Sequence, residues 1–169
     1  MAKCTECGAP MQTRRDTYKH KALGLPNVTL LNVEIRTCKE CGEEEVVIPK
    51  AEQLRAVVAE KVLEKPGRLA GAEIRFLRKF VGWSGVDFAA HFGVAAETVS
   101  RWENDHEPIG PVAERLLRFI VARGTQITKY DDLKPEDVLD TIKTDNAEPI
   151  RMRMQLGAGS WQPEIVAAS

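Results

Sequence analysis

Four cysteines are the residues whose type and spacing most clearly predict chemistry. They lie in the first 41 residues as two Cys-x2-Cys pairs, Cys4 with Cys7 and Cys38 with Cys41. A glycine follows each pair and can take the left-handed conformation that such a tight turn often needs. Two such turns bring four thiolates to one ion, which is the number that a closed tetrahedral Zn²⁺ site requires. We therefore expect one structural zinc ion, held by these four cysteines.

Other uses of the thiols stay open on the sequence. A dithiol redox centre usually places one pair at the start of a helix beside a β-α-β pattern, and no such helix is evident after either pair. Disulfides or an iron–sulfur cluster are further alternatives. Coordination by four sulfurs leaves no position for an activated water, which argues against zinc catalysis. We expect His20, which lies between the pairs, to be a solvated loop residue.

The interval between the cysteine pairs predicts a β-hairpin. Residues 28–36 are rich in β-formers and alternate apolar with polar side chains, so they predict a half-buried strand that leads to Cys38. Residues 45–48 predict a second short strand. A domain of about 50 residues is small enough to need a metal staple. We therefore expect residues 1–49 to form a zinc-ribbon domain.

The middle of the chain reads as helices with short breaks. Residues 50–66 predict a linker helix that ends at a Pro-Gly pair. Residues 67–124 predict a bundle of four short helices. Ser84 with Asp87 resembles a capping box at the start of the second of them. The four begin near Leu69, Ser84, Ala96 and Pro111 and end at or before Gly82, Gly93, Asn104 and Gly124. The fourth is expected to bury Val112, Ala113, Leu116, Leu117 and Ile120.

The second and third of these helices, with a glycine-containing turn between them, have the layout of a helix-turn-helix. Val99 and Trp102 give the third helix an apolar side, and we expect Glu103 to be an internal structural partner. The opposite side carries residue types that read DNA, since Arg forks onto guanine and Glu accepts from cytosine. A bundle with solvated charges is the alternative. The expected DNA-contacting residues are Glu97, Thr98, Ser100 and Arg101 on the third helix, Arg75, Arg78 and Lys79 on the first, and Ser84.

Three motifs together resemble a known family. They are the two Cys-x2-Cys-Gly turns, Glu-Ile-Arg-Phe-Leu-Arg-Lys at 73–79 and Ser-Arg-Trp-Glu at 100–103. Residues 69–120 resemble an Xre/Cro-type helix-turn-helix, and residues 1–124 resemble the MqsA-type (YgiT-type) antitoxin family.

The resemblance implies a zinc-stabilised domain that binds and neutralises a protein toxin, often an mRNA-cleaving ribonuclease. It also implies a homodimer that represses its own operon at a palindromic double-stranded DNA operator. The family's base-reading positions map onto Glu97 and Arg101. Two positions depart from the family pattern: Gly85 stands where many relatives have a Gln that bonds the DNA backbone, and Ala95 replaces the usual Ser or Thr cap.

Residues 125–169 form a C-terminal extension with room for dimerisation or partner contacts. Residues 131–143 suggest a short helix, and residues 150–156 alternate apolar with polar side chains as a strand does. A lone strand leaves its edges unpaired, so we expect it to pair with its own domain or with a second copy. A disordered or partner-folded tail is the alternative.

The composition fits a soluble globular protein of 169 residues, with 43% hydrophobic and 29% charged residues and a net charge of −1. No apolar run reaches the roughly 18 residues of a membrane span, and the N-terminus lacks the apolar core of a secretory signal, so we expect a cytoplasmic protein. A Gly-rich phosphate loop, an HExxH motif and a paired nucleophile and base are all missing from the sequence, so we expect no enzymatic activity.

The sequence therefore predicts a two-domain α+β protein, with a Cys4 zinc ribbon, an all-α helix-turn-helix bundle and a short helix and strand as C-terminal extension. We expect an antitoxin of a type II toxin–antitoxin system that is also a transcriptional autorepressor. A stand-alone zinc-containing regulator and, from another class, a dithiol redox enzyme are the alternatives.

Overall fold

The computed structural model describes residues 2–124 and 147–165. These residues form an α+β protein with one five-stranded sheet and five α-helices. None of the helices in the described residues is long and apolar enough to cross a bilayer. The chain divides into two compact units, the first made of Met1–His20, Val28–Leu54 and Arg151–Ser169, and the second of Lys21–Asn27 and Arg55–Ile150. The helix predicted at 131–143 lies outside the described residues.

The sheet belongs to the first unit and is built around its longest strand, β2. The strands are β1 (Met11–Lys19), β2 (Val28–Cys38), β3 (Glu44–Val47), β4 (Met152–Gly157) and β5 (Ser160–Ile165). Strand β1 pairs antiparallel with one edge of β2. Strands β3 and β4 share the other edge, β3 antiparallel and β4 parallel, and β5 continues the sheet beyond β4. The hairpin predicted between the cysteine pairs is therefore formed by β1 and β2.

A bulge divides β2 into two halves. Its buried residues are Val28 and Leu30 before Asn32, then Val33 and Ile35 after it, so the alternation shifts by one residue. Asn32 has a φ of 54°, a conformation that Asn adopts more readily than most residues. The register with β1 shifts at the same place, between Asp16 and Tyr18. The extra residue lets both halves of β2 bury their apolar side chains.

The C-terminal hairpin supplies core residues to the first unit. Met152 and Met154 of β4 and Trp161 of β5 are buried, and the indole Nε1 of Trp161 donates to the carbonyl of Pro49 at 3.0 Å. The Nζ of Lys50 donates to the carbonyl of Gly159 in the tight turn between β4 and β5. The predicted C-terminal strand therefore pairs within its own chain.

The five helices begin and end within a few residues of their predicted positions. They are α1 (Ala51–Glu64), α2 (Gly71–Phe80), α3 (Gly85–Phe92), α4 (Ala96–Glu103) and α5 (Pro111–Gly124). The capping box before α3 is confirmed, since the Ser84 Oγ accepts from the N–H of Asp87 at 3.1 Å and the Asp87 carboxylate accepts from the N–H of Ser84 at 2.8 Å. Gly93 ends α3 with a left-handed φ of 64°.

The predicted buried face of α5 is confirmed at Leu117 and wrong at Val112 and Leu116, while Ala113 and Ile120 are half-buried. Val112 is 79% and Leu116 is 42% exposed, and Val121, which was not predicted, is buried beside Leu117 on the inward face. Two buried charged residues, Glu114 and Arg118, determine which face turns inward.

Arg118 satisfies backbone carbonyls at and after the end of α1, where helical acceptors have no partner within the helix. Its Nη1 donates to the carbonyls of Leu63 and Lys65, each at 2.9 Å, and its Nη2 donates to that of Gly67 at 2.7 Å. The Glu114 carboxylate pairs with Arg118 at 2.8 Å and also accepts from the N–H of Leu69 at 3.0 Å. These bonds hold the Glu114 and Arg118 face of α5 against the rest of the second unit.

The position of Met154 predicts that the C-terminal hairpin contributes to stability. We expect Met154→Ala to lower the free energy of unfolding by about 2–5 kcal/mol, because the substitution leaves a cavity under a fully buried side chain. Gln155→Ala, at an exposed neighbouring position of β4, is the control and changes it by less than about 0.5 kcal/mol. Urea denaturation followed by circular dichroism measures both, and equal effects would contradict a core role for β4.

Candidate metal centre and nucleic-acid interface

The two cysteine pairs fold into turns with the same backbone hydrogen bonds. The N–H of Cys4 donates to the carbonyl of Ala9 at 2.9 Å, and the N–H of Cys38 donates to that of Glu43 at 2.8 Å. The N–H of Gly8 donates to the carbonyl of Cys4 and that of Gly42 to Cys38, at 3.0 and 3.1 Å. Both glycines have a positive φ, 75° and 76°, which confirms the expected left-handed turns.

The turns bring all four sulfurs together. The Sγ atoms lie within 4.8 Å of one another, with Cys4 to Cys41 at 3.5 Å and Cys7 to Cys38 at 3.4 Å. Tetrahedral bonds of about 2.3 Å from sulfur to Zn²⁺ place the sulfurs about 3.8 Å apart, so the set fits such an ion with small shifts. Cys4 and Cys38 are buried beside Met11, whereas Cys7 and Cys41 are exposed. Four thiols in this arrangement can hold one metal ion.

The four thiols differ in how readily they lose a proton. The backbone N–H of Cys41, followed by smaller contributions that include the Cys7 thiol, lowers the pKa of Cys38 to about 7. The backbone N–H of Glu43 favours the thiolate of Cys41, but the neighbouring thiols of Cys4, Cys38 and Cys7 outweigh it and raise the pKa of Cys41 to about 12. The Cys38 thiolate therefore forms near neutral pH, whereas the Cys41 thiolate requires a positive ion beside it.

His20 is not part of this cluster, and the expectation that it is solvated is wrong. Its side chain lies at the end of β1 and only 8% of the residue is exposed. Burial lowers the pKa of His20, so the imidazole favours its neutral form. Within the described residues, the four cysteines are the one cluster of three or more potential metal ligands.

The candidate nucleic-acid interface lies on the second unit, where residues 93–95 connect α3 to α4. Val99 and Trp102 are buried, and on the other side of α4 Glu97, Ser100 and Arg101 are exposed. Thr98 is half-buried. Ala95 precedes α4 without a side-chain cap. The polar residues predicted on this helix are thus brought to one accessible side.

Close backbone contact fixes the C-terminal end of α4 against α2. A Cβ placed on Gly71 would lie 2.7 Å from the carbonyl carbon and oxygen of Glu103 and from the carbonyl oxygen of Trp102. The N–H of Gly71 donates to Oδ1 of Asp105 at 2.6 Å, just beyond α4. Only glycine permits this approach, which sets how α4 crosses the start of α2.

Glu103 is an internal partner, as the sequence predicts, and two arginines of α2 bind it. Arg78 donates to Glu103 through Nε at 2.5 Å and through Nη2 at 3.1 Å. Arg75 donates through Nε to Glu103 at 3.1 Å and through Nη2 to Oδ1 of Asn104 at 2.8 Å.

These bonds correct one predicted DNA contact. Arg78 is buried, and its Nη1 also donates to the carbonyl of Trp83 at 2.7 Å, so its guanidinium is used inside the unit and cannot reach a phosphate. Arg75 is partly exposed but holds the end of α4. Lys79 and Ser84 are exposed, and the Ser84 hydroxyl caps α3. Of the three basic residues expected to meet phosphates, Lys79 is the one that the structure leaves accessible without an ion pair among the described residues.

Sequence reasoning missed the turn that follows α4. Asn104 donates to the carbonyl of Ser100 at 2.7 Å, Asp105 accepts from Gly71, and the Glu107 carboxylate lies 3.9 Å from Nη1 of Arg101. The Asn-Asp pair and Pro108 signal a turn in the sequence. Nothing in those residue types shows that the turn folds back onto α4.

Comparisons with protein-family models, with curated proteins and with solved structures give no match for this chain.

The geometry of the sulfurs predicts a bound metal. We expect one metal ion per chain, and we expect Cys38→Ser to lose it and to destabilise the first unit, because one of the four thiolates is removed. Lys39→Ala, on the same turn but without a ligand atom, is the control and keeps the metal. Elemental analysis and thiol titration of reduced protein measure the outcome, and freshly purified protein without metal would contradict the prediction.

Proposed function

We propose that the protein is a sequence-specific DNA-binding transcriptional regulator that places α4 in the major groove. One observation carries the proposal: Glu97, Ser100 and Arg101 share the accessible side of α4, while Val99 and Trp102 anchor its other side. Helix, three-residue turn and helix in this order support a helix-turn-helix, in which the second helix reads bases.

The size and chemistry of α4 suit this role. Its eight residues extend about 12 Å along the helix axis. The major groove is about 12 Å wide, which admits the diameter of an α-helix. Arg101 offers a bidentate fork for guanine, and Glu97 offers an acceptor for the amino group of cytosine. Lys79 of α2 contributes a phosphate contact, which positions the protein without reading sequence. So short a helix reads few base pairs, so the proposal includes a homodimer on a palindromic site.

Two substitutions separate base reading from phosphate contact. We expect Arg101→Ala to cost roughly 1–3 kcal/mol on the preferred duplex and to relax the base preference at one position. Lys79→Ala weakens binding to all sequences about equally and reduces the salt slope by about one. The duplex is selected from a random library by repeated binding, and fluorescence anisotropy measures affinity. Lys39→Ala in the first unit is the matched control for a lost positive charge. Unchanged affinity in both variants would overturn the proposed interface.

The metal of the first unit is, in this proposal, structural zinc held by Cys4, Cys7, Cys38 and Cys41. The ion supplies the charge and the cross-link that four crowded thiolates need. With all four positions taken by protein sulfur, the centre has no open position for an activated water, so the proposal gives it no role in catalysis and expects no enzymatic activity. Iron in the elemental analysis, or visible absorption by the purified protein, would contradict zinc.

The biological context of the proposal rests on the resemblance to MqsA-type antitoxins. In that context the first unit neutralises a ribonuclease-like toxin and the second represses the shared operon. A stand-alone regulator would have the same DNA-binding surface but no toxin partner.

A growth experiment separates these two contexts. In the antitoxin context, the toxin is encoded by the reading frame next to the one for this chain in the same operon. We expect that neighbouring reading frame, expressed alone, to stop growth, and co-expression of this chain to restore growth. Cys38→Ser loses the rescue but keeps DNA binding, because the cysteines lie in a different compact unit from α4. Growth curves and co-purification measure this. Rescue that survives Cys38→Ser, or a neighbour without any effect on growth, would contradict the antitoxin role.

A further inference from the structure

The turn after α4 returns an acidic residue to the proposed base-reading arginine. The N–H groups of His106 and Glu107 both donate to the carbonyl of Arg101, at 3.0 and 3.4 Å. This places a carboxylate oxygen of Glu107 3.9 Å from Nη1 of Arg101. Among the described residues, Glu107 is the acidic residue within ion-pair distance of Arg101.

The fold, rather than the ion pair, fixes where Glu107 lies. Asp105 has a left-handed φ of 56°, and both its N–H and its carboxylate are bonded, to the carbonyl of Trp102 at 3.3 Å and to the N–H of Gly71 at 2.6 Å. After Glu107, Pro108 restricts the backbone, and the carbonyl of the buried Ile109 accepts from Arg68. The backbone at Glu107 is thus held at the end of α4 from both sides of the turn.

This placement affects the two kinds of DNA contact differently. The Arg101 and Glu107 side chains are 62% and 50% exposed, so solvent screens their attraction and a strong competitor separates them. Guanine offers two acceptors in the plane of the guanidinium. A phosphate on unrelated DNA offers a diffuse charge, and Glu107 competes with it by pairing with Arg101.

We infer that Glu107 is a specificity-determining residue. Its ion pair with Arg101 competes with contacts between Arg101 and the phosphate backbone, and only the two acceptors of a guanine edge displace it. The inference rests on the proposed function and deepens it. Glu107 itself contacts no base. Its effect is to weaken binding to unrelated DNA more than binding to the preferred site.

The test compares wild type with Glu107→Gln on two duplexes, the one selected from a random library and one of unrelated sequence. We expect Glu107→Gln to steepen the salt slope on unrelated DNA by about one, because Arg101 gains a phosphate contact, and to raise that affinity about fivefold at low salt. On the selected duplex the slope stays the same, since Arg101 is already on guanine. The ratio of the two affinities therefore falls.

Two further variants isolate the mechanism. In an Arg101→Ala background, Glu107→Gln should no longer change the salt slope, because the residue acts through Arg101. Glu64→Gln on α1 removes the same charge elsewhere in the second unit and should leave the slopes unchanged. Thermal melting by circular dichroism checks that all variants fold.

The outcomes distinguish the inference from the proposed function. Equal changes on both duplexes, no change on either, or an effect that survives Arg101→Ala would overturn the role of Glu107 and leave the DNA-binding proposal standing. Wild type that enriches no sequence in the selection would overturn both.

Discussion

The buried carboxylate of Glu103 is the constraint on which the second unit depends. A buried charge is costly unless it is paired and hydrogen-bonded, and Arg75 and Arg78 provide both conditions from α2. The glycine at position 71 removes the side chain that would otherwise separate the two helices there. The end of α4 is thus tied to α2 by charge and by close backbone contact. Because that end is fixed and Val99 and Trp102 are buried, the polar side of α4 faces solvent.

The sheet of the first unit combines strands that are far apart in the sequence, since β1 to β3 lie before residue 50 and β4 and β5 after residue 150. Strand β2 ends at Cys38, so the ladder that aligns β1 with β2 also brings the two cysteine turns side by side. Strand β4 pairs with the N-terminal half of β2, on the edge opposite β1, and its Met152 and Met154 are buried in the core. The candidate metal site lies at one end of β2 and the added core residues at the other, and a small domain needs such additions to its core.

Local signals explain how much of this was predictable. The Cys-x2-Cys-Gly turns, the capping pair Ser84 and Asp87, and the left-handed Gly93 each depend on neighbouring residues, and the structure confirms them. The parallel pairing of β4 with β2 joins distant parts of the chain, which residue periodicity does not report. Arginine is a residue type that normally lies at the surface. Arg78 and Arg118 are buried because each meets a buried carboxylate, and the sequence does not show which carboxylate that is. The same holds for Glu107, whose place beside Arg101 depends on a turn geometry that the sequence signals without specifying.

The internal use of arginines limits how the second unit would bind DNA in the proposed function. The chain has a net charge of −1, and Arg75, Arg78 and Arg118 are bonded to carboxylates within the unit. Arginines used in this way are not available to release counterions from a phosphate backbone, so the proposed DNA contact gains little sequence-independent attraction from them. In the proposed complex, affinity then depends on base contacts from α4, and one short helix makes few of them. A second copy would double these base contacts without adding an excess of positive charge, which is why the proposed function includes a homodimer on a paired site.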